Sequence, residues 1–193
     1  MSLLTPQDLL PAAEYEQRRE QFRSQIIALK QRRRISVGPL VTLVFENRET
    51  LRFQTQEMIR VEHILDPRKV QEDLDVYNAL MPGSGVLSAT LLIEITEQER
   101  MKEWLDAFMG LDHGETVAIR AGTEQVFGLF EGGHSHETKI SAVHFVRFRP
   151  TRSMIASFAD LHVPVTLTLH HHEYHAETPV PGSMREEWLK DLR

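Results

Sequence analysis

Histidine is the residue type here whose chemistry is most exposed by its spacing. The chain holds ten, and all but one follow residue 112. Neutral imidazole is the commonest side-chain metal ligand, so three groups call for a reading: His134 with His136, His144 alone, and His170, His171, His172 and His175 near the end. Strand parity sorts them. Val163, Val165, Leu167 and Leu169 alternate along one face, His171 continues that face, and His170 and His172 point outward. Ile140, Ala142, Val146 and Phe148 share a face with His144 in the preceding strand. His144 and His171 are therefore expected on the apolar side of strands that can be neighbours. There they are the candidate metal ligands, for a divalent ion that would lower the pKa of a bound water. The competing expectation is plainer. An inward histidine is more often a core residue satisfied by a hydrogen bond, outward ones are solvated, and no spacing matches a strong ligand signature. His134 and His136 sit in a glycine-rich turn and read as loop residues.

Other chemistries are easier to dismiss. With no cysteine there is no disulfide, no thiolate nucleophile, and no cysteine-ligated zinc or iron–sulfur cluster. A formal charge of -6 disfavours general nucleic-acid binding, which rests on basic excess. Glu57, Glu62, Asp66, Glu72, Asp73 and Asp75 can serve acid–base work only if their surroundings separate their pKa values; as a pattern they read as solvated helix faces. Glu131 and His134 have the spacing of a di-iron motif, but two glycines lie between them. There is no P-loop and no nucleophile elbow, and Gly83 with Gly85 lacks the third glycine of a dinucleotide fingerprint. No catalytic or cofactor-binding residue is assigned. The basic run Lys30, Arg32, Arg33 and Arg34 can dock an acidic partner or RNA, yet reads first as a solvated helix end.

The elements that must position these residues follow from periodicity. The spacing predicts a long N-terminal helix over about 11–33, with Phe22, Ile26 and Leu29 on one face. LVTLVFE and LRF around Asn47-Arg48-Glu49 suggest a hairpin. Residues 54–65 look helical, and Asp66-Pro67 opens another helix that ends at Pro82-Gly83-Ser84-Gly85. Leu87, Ala89, Leu91, Ile93 and Ile95 then alternate cleanly, which predicts a buried strand with Thr90 on a solvated face. Thr96 with Glu99 forms a capping-box pattern for a helix ending near Gly110. Candidate strands follow at 115–121, 125–130, 140–149 and 163–172, with a short helix at 153–158 and a final one capped by Ser183 and Glu186. The expectation is one α+β domain over 1–193, with a mainly antiparallel, strongly curved sheet and helices on one side. No run reaches the roughly 18 apolar residues of a membrane span, and no secretory leader is visible, so a cytoplasmic location is expected.

Three stretches together resemble one family: RRRISVGPLVTLVFENRETLRFQTQEMIRVE, DVYNALMPGSGVLSATLLIEI and SAVHFVRF. The chain is similar, over nearly its whole length, to the bacterial domain-of-unknown-function family DUF3501. The tail HHHEYHAETP resembles a family segment that is usually poorer in histidine. The family supplies no catalytic residues. Its genes are often neighbours of rubrerythrin-like proteins and iron–sulfur oxidoreductases, so the resemblance implies an accessory role beside a redox system. A cysteine-free chain without a di-iron motif is not expected to carry the electrons itself. The surfaces expected to meet a redox-protein partner are the basic end of the first helix and the MPGSG loop. The alternative is a metal-assisted enzyme built on His144 and His171.

Overall fold

In a computed structural model the chain is described over residues 2–132 and 140–193. Thr5 and Asp8 bracket a 3-10 turn, Pro6–Asp8, which leads into α1 (Ala12–Gln31). A short hairpin comes next, β1 (Arg34–Val37) and β2 (Val41–Glu46), turning at Gly38, whose φ of 72° suits glycine. It is succeeded by α2 (Arg48–Val61), α3 (Pro67–Ala79) and β3 (Leu87–Ile93). A 3-10 turn at Gln98–Arg100 runs into α4 (Met101–Ala107). The rest is mainly strand: β4 (Val117–Ala121), β5 (Glu124–Phe127), β6 (Leu129–Phe130), β7 (Val143–Phe148), then α5 (Arg152–Ala159), β8 (Val165–His171), β9 (Tyr174–Pro179) and α6 (Gly182–Asp191). Among the described residues no helix is long and apolar enough to cross a membrane.

The α+β class, the antiparallel pairing and the long first helix are as the periodicity predicts. The strands divide into two antiparallel sheets, ordered β1-β2-β3-β7-β6 and β5-β4-β8-β9. Gly128 carries the chain from one to the other. Its backbone lies so close to Val146 and Phe148 that a Cβ would collide with them, which is why one apolar run serves as two strands. Between the sheets lies the main core. Leu43, Phe45, Leu87, Ala89, Leu91 and Val146 come from the first sheet, Val117, Ile119, Leu167 and Leu169 from the second, and Phe158, Met184 and Trp188 of α5 and α6 close it. A second core of Leu4, Leu51, Leu74, Leu80 and Met81 packs α2, α3 and the N-terminal turn toward Phe145, on the far side of the first sheet.

That second core corrects two expectations. The face of Thr90 is not solvated. It looks toward α2 and α3, and Thr90 Oγ1 donates to the buried Glu46 at 2.8 Å. Asn47 does not make a hairpin turn either. Its side chain accepts from the Thr50 amide at 3.0 Å and caps α2, so LRF is helical. The parity of β3 holds for Leu87, Ala89, Leu91 and Ile93, all buried, in register against Leu43 and His144 at Leu91, but the strand ends at Ile93 and Ile95 beyond it is only half-buried.

Arg33 departs most from its sequence pattern. It is not a solvated helix end but fully buried. Its guanidinium donates to Phe45 O at 2.7 Å, to Glu187 Oε2 at 3.2 Å and to the Asp191 carboxylate, tying the start of the first sheet to α6. Burial pushes the Asp191 carboxyl up and Arg33 opposes it. Removing one partner from a buried ion pair costs far more than the pair is worth, because the remaining charge has nowhere to go. Arg33→Met is therefore expected to lose about 3–5 kcal/mol in urea unfolding, as much as a core truncation such as Leu91→Ala at about 2–5 kcal/mol. A change below about 1 kcal/mol for Arg33→Met would mean that Glu187 and Asp191 reach water without it.

Candidate functional site

The two inward histidines stand on facing sheets, not on neighbouring strands. His144, on β7, is fully buried; its Nε2 lies 2.8 Å from Ser141 O, and the Phe130 ring meets it edge-on at 5.9 Å. His171, the last residue of β8, places Nε2 at 2.9 Å from Met109 O. A carbonyl only accepts, so each ring carries its proton on Nε2. Met109 and Asp112 belong to the loop after α4, whose Leu111 is fully buried in the main core. The Asp112 side chain is only 8% exposed, its Oδ2 lies 3.9 Å from His144 Nδ1, and its charge also acts on His171. Among the described residues Asp112 Oδ1 receives no hydrogen bond. Asp112 is thus the carboxylate beside His144, and its charge is the weakest of the influences on His171. Among the described residues no three His, Asp or Glu side chains are grouped closely enough to hold a metal ion.

The outward histidines behave as parity predicts. His170 is exposed, with Nε2 3.7 Å from Glu177 Oε1, and faces the His175 ring at 5.2 Å. His172 turns outward but is strained. It has φ 46° in the two-residue turn that pairs His171 with Tyr174, and its ring lies 4.2 Å from that of His171. His134 and His136 lie outside the described residues. Sequence reasoning missed Asp112, although an aspartate in a Gly-Leu-Asp-His-Gly stretch after a helix is a turn signal that could have raised it.

The two expected docking surfaces fare differently. Three of the four residues of the basic run are paired within the chain: Arg32 Nε lies 3.3 Å from Glu187 Oε1, Arg33 is buried as above, and Arg34, half exposed, grips Glu94 at 2.7 and 3.0 Å. In the MPGSG loop Met81 and Pro82 are buried, while Gly83 and Ser84 face solvent. Glu57 is not a solvated carboxylate either. Arg19 binds it through two 2.8 Å bonds, Tyr15 donates at 2.7 Å, and these hold its carboxyl down at about 2. Among the exposed apolar side chains, one group lies where α2 hands over to α3. Val61 is 61% and Leu65 83% exposed, with Met58 beside them on α2. Leu65 also borders a groove of about 300 Å³ lined by Leu9, Leu10, Ile59, Ile64 and Val70.

A family model described as "Protein of unknown function (DUF3501)" matches residues 3–192. Among solved structures, a novel protein of unknown function from Burkholderia pseudomallei K96243 is similar, with a TM-score of 0.90 and 30% identity over 100% of both chains. No curated protein matches the sequence.

Burial holds the His171 ring below the ordinary histidine value of 6.5; the Met109 carbonyl opposes that shift and His172 adds to it. A histidine depressed in the fold stays neutral while its unfolded counterpart takes a proton. Its contribution is therefore complete above 6.5 and is lost as pH falls from 6.5 through the lowered folded value. His171→Gln should flatten that part of the acid limb. Urea midpoints of both proteins at neutral and mildly acidic pH measure it, and parallel curves would exclude His171 as the source.

Proposed function

We propose that this chain, which belongs to the DUF3501 family of proteins of unknown function, is an accessory protein that docks a partner of the rubrerythrin-like or iron–sulfur redox class implied by the family resemblance. The observation that carries this reading is the apolar corner between α2 and α3. Val61 and Leu65 stand mostly in water, Leu65 on the rim of a hydrophobic groove, and an apolar patch kept exposed at a cost in solvation is the usual mark of a surface with a partner. The chain has no cysteine with which to ligate an iron–sulfur cluster, so the electron-carrying group belongs to the partner. The test uses tag-free protein recovered from its native host under gentle lysis. A redox protein of that class should accompany the natural chain and be lost from the Val61→Glu, Leu65→Glu double variant, whose surface changes should move stability by no more than about 0.5 kcal/mol each. Recovery of no redox protein, or equal recovery with the variant, overturns the reading.

A second reading, a divalent metal held in the seam by His144 and His171 in support of an enzymatic step, is favoured by one observation. Both rings present Nε2 to a backbone carbonyl, the outer contact that commonly orients metal-bound imidazole, and Asp112 Oδ2 lies 3.9 Å from His144 Nδ1. Purified protein should then carry near-stoichiometric zinc, iron or manganese by elemental analysis, with less in Asp112→Asn. Metal-free protein whose thermal midpoint ignores all three ions sinks it.

A further inference from the structure

A second cavity opens on the other side of the His171–His172 step. It has a volume of about 330 Å³ and is lined by Trp104, Ala107, Phe108, His172, Glu173 and Tyr174. That volume is at the lower end of small-molecule sites. Its walls are chiefly aromatic, and they are rigid. The Tyr174 hydroxyl is occupied away from the cavity, donating to Val37 O at 2.7 Å and accepting from Leu40 N at 3.2 Å, which fixes the ring. Phe108 packs on that ring at 5.0 Å and 56°. Trp104 already receives one cation: the Arg100 guanidinium stands 4.7 Å from its ring centroid. Arg100 is itself neutralised, bonded to Glu103 at 2.8 and 3.1 Å, so its charge does not set the sign of the cavity.

Glu173 sets that sign. It stands in the two-residue turn between β8 and β9, is exposed, and has no hydrogen bond or ion pair among the described residues. The turn holds it there at some expense, because His172 adopts a left-handed backbone (φ 46°) that a residue with a Cβ disfavours. Aromatic faces attract cations through their quadrupoles, most strongly where water is partly excluded. A carboxylate at the rim of a rigid aromatic box adds a charge of the matching sign. A neutral ligand would leave Glu173 without a role, and an anion would be repelled by both the carboxylate and the ring faces.

We propose that the cavity between α4 and the β8–β9 turn binds a small organic ammonium, with Trp104 and Tyr174 against its alkyl groups and Glu173 against its charge. This site is separate from the apolar corner and does not depend on it.

The probe is choline, compared with its neutral isostere 3,3-dimethylbutan-1-ol, each titrated into the full chain by calorimetry. Tryptophan fluorescence gives a second readout: of the two tryptophans Trp188 is fully buried, so a response reports Trp104. Choline should bind saturably and about tenfold more tightly than the alcohol, since a partly desolvated cation–π contact with a counter-charge is worth about that factor. Glu173→Gln should remove most of the preference, and Trp104→Leu should abolish binding while circular dichroism remains unchanged. Absence of saturable choline binding, equal affinity for the alcohol, or an unaltered preference in Glu173→Gln each overturns the proposal. The Glu173 variant changes an exposed turn residue and keeps the test decisive even if Trp104→Leu unfolds.

Discussion

A buried positive charge at the start of the first sheet organises the rest of the molecule. Arg33 cannot be desolvated alone, so the fold must bring carboxylates to it, and it brings Glu187 and Asp191 from a helix more than 150 residues away. The same guanidinium donates to the carbonyl of Phe45, and Phe45 N returns a bond to Arg33 O at 2.9 Å. One side chain thereby fixes the entry of α1 into the sheet, the end of β2 and the seat of α6. Trp188, on that helix, then lands against Phe45 and Phe158 with ring centroids at 4.6 and 5.3 Å. Arg185, one turn earlier, performs a related task with carbonyls alone, donating to Phe158 at 2.9 Å, to Val163 at 3.0 Å and to Ser157 at 2.6 Å, and so holds the end of α5.

With α6 clamped, the first sheet acquires two dry faces. One meets the second sheet across the main core; the other meets α2 and α3 across the smaller core. This explains why all six residues of β2 are buried, and why polar residues on its helix-facing side must bond one another. Glu46 receives hydroxyls from Thr50 and Thr90, and Thr42 donates to Glu94 at 2.6 Å. The seam around Asp112 and the aromatic cavity both lie where the loop after α4 crosses from one sheet to the other. The histidine seam draws on both sheets, whereas the aromatic cavity lies between α4 and the β8–β9 turn of the second sheet.

Much of this was legible in the residues. Alternation placed Leu87 through Ile93 and both inward histidines on their correct faces, since period two is imposed by the strand itself. Asp66-Pro67 opened a helix for reasons local to the backbone. The failures are equally physical. Asn47 with Thr50 can cap a helix or form a turn, and Leu51 decided between them by entering the second core. The Arg32–Arg34 run has the same letters whether solvated or paired, and its partners Glu187, Asp191 and Glu94 are distant in sequence. Parity gave the direction of His144 and His171 but not their sheet, because the strand at 125–130 hides a change of sheet at one glycine. Tyr174–Pro179 went unread as a strand because its alternation of half-buried and exposed residues lacks large apolar side chains.

The passage of the chain through Gly128 bears on how this protein behaves in a crowded solution. Bare strand edges recruit other chains. The edge strands here are β1 and β6 of one sheet and β5 and β9 of the other. Gly128 joins β5 to β6 covalently, so those two edges turn a corner together. The other two are stitched by side chains, with Thr178 Oγ1 donating to Ser36 O at 2.8 Å and Tyr174 to Val37 O at 2.7 Å. The edge strands are short, from 2 residues in β6 to 6 in β9, and short edges are poor templates for intermolecular pairing. The course of the backbone thus covers strand edges that would otherwise lie bare.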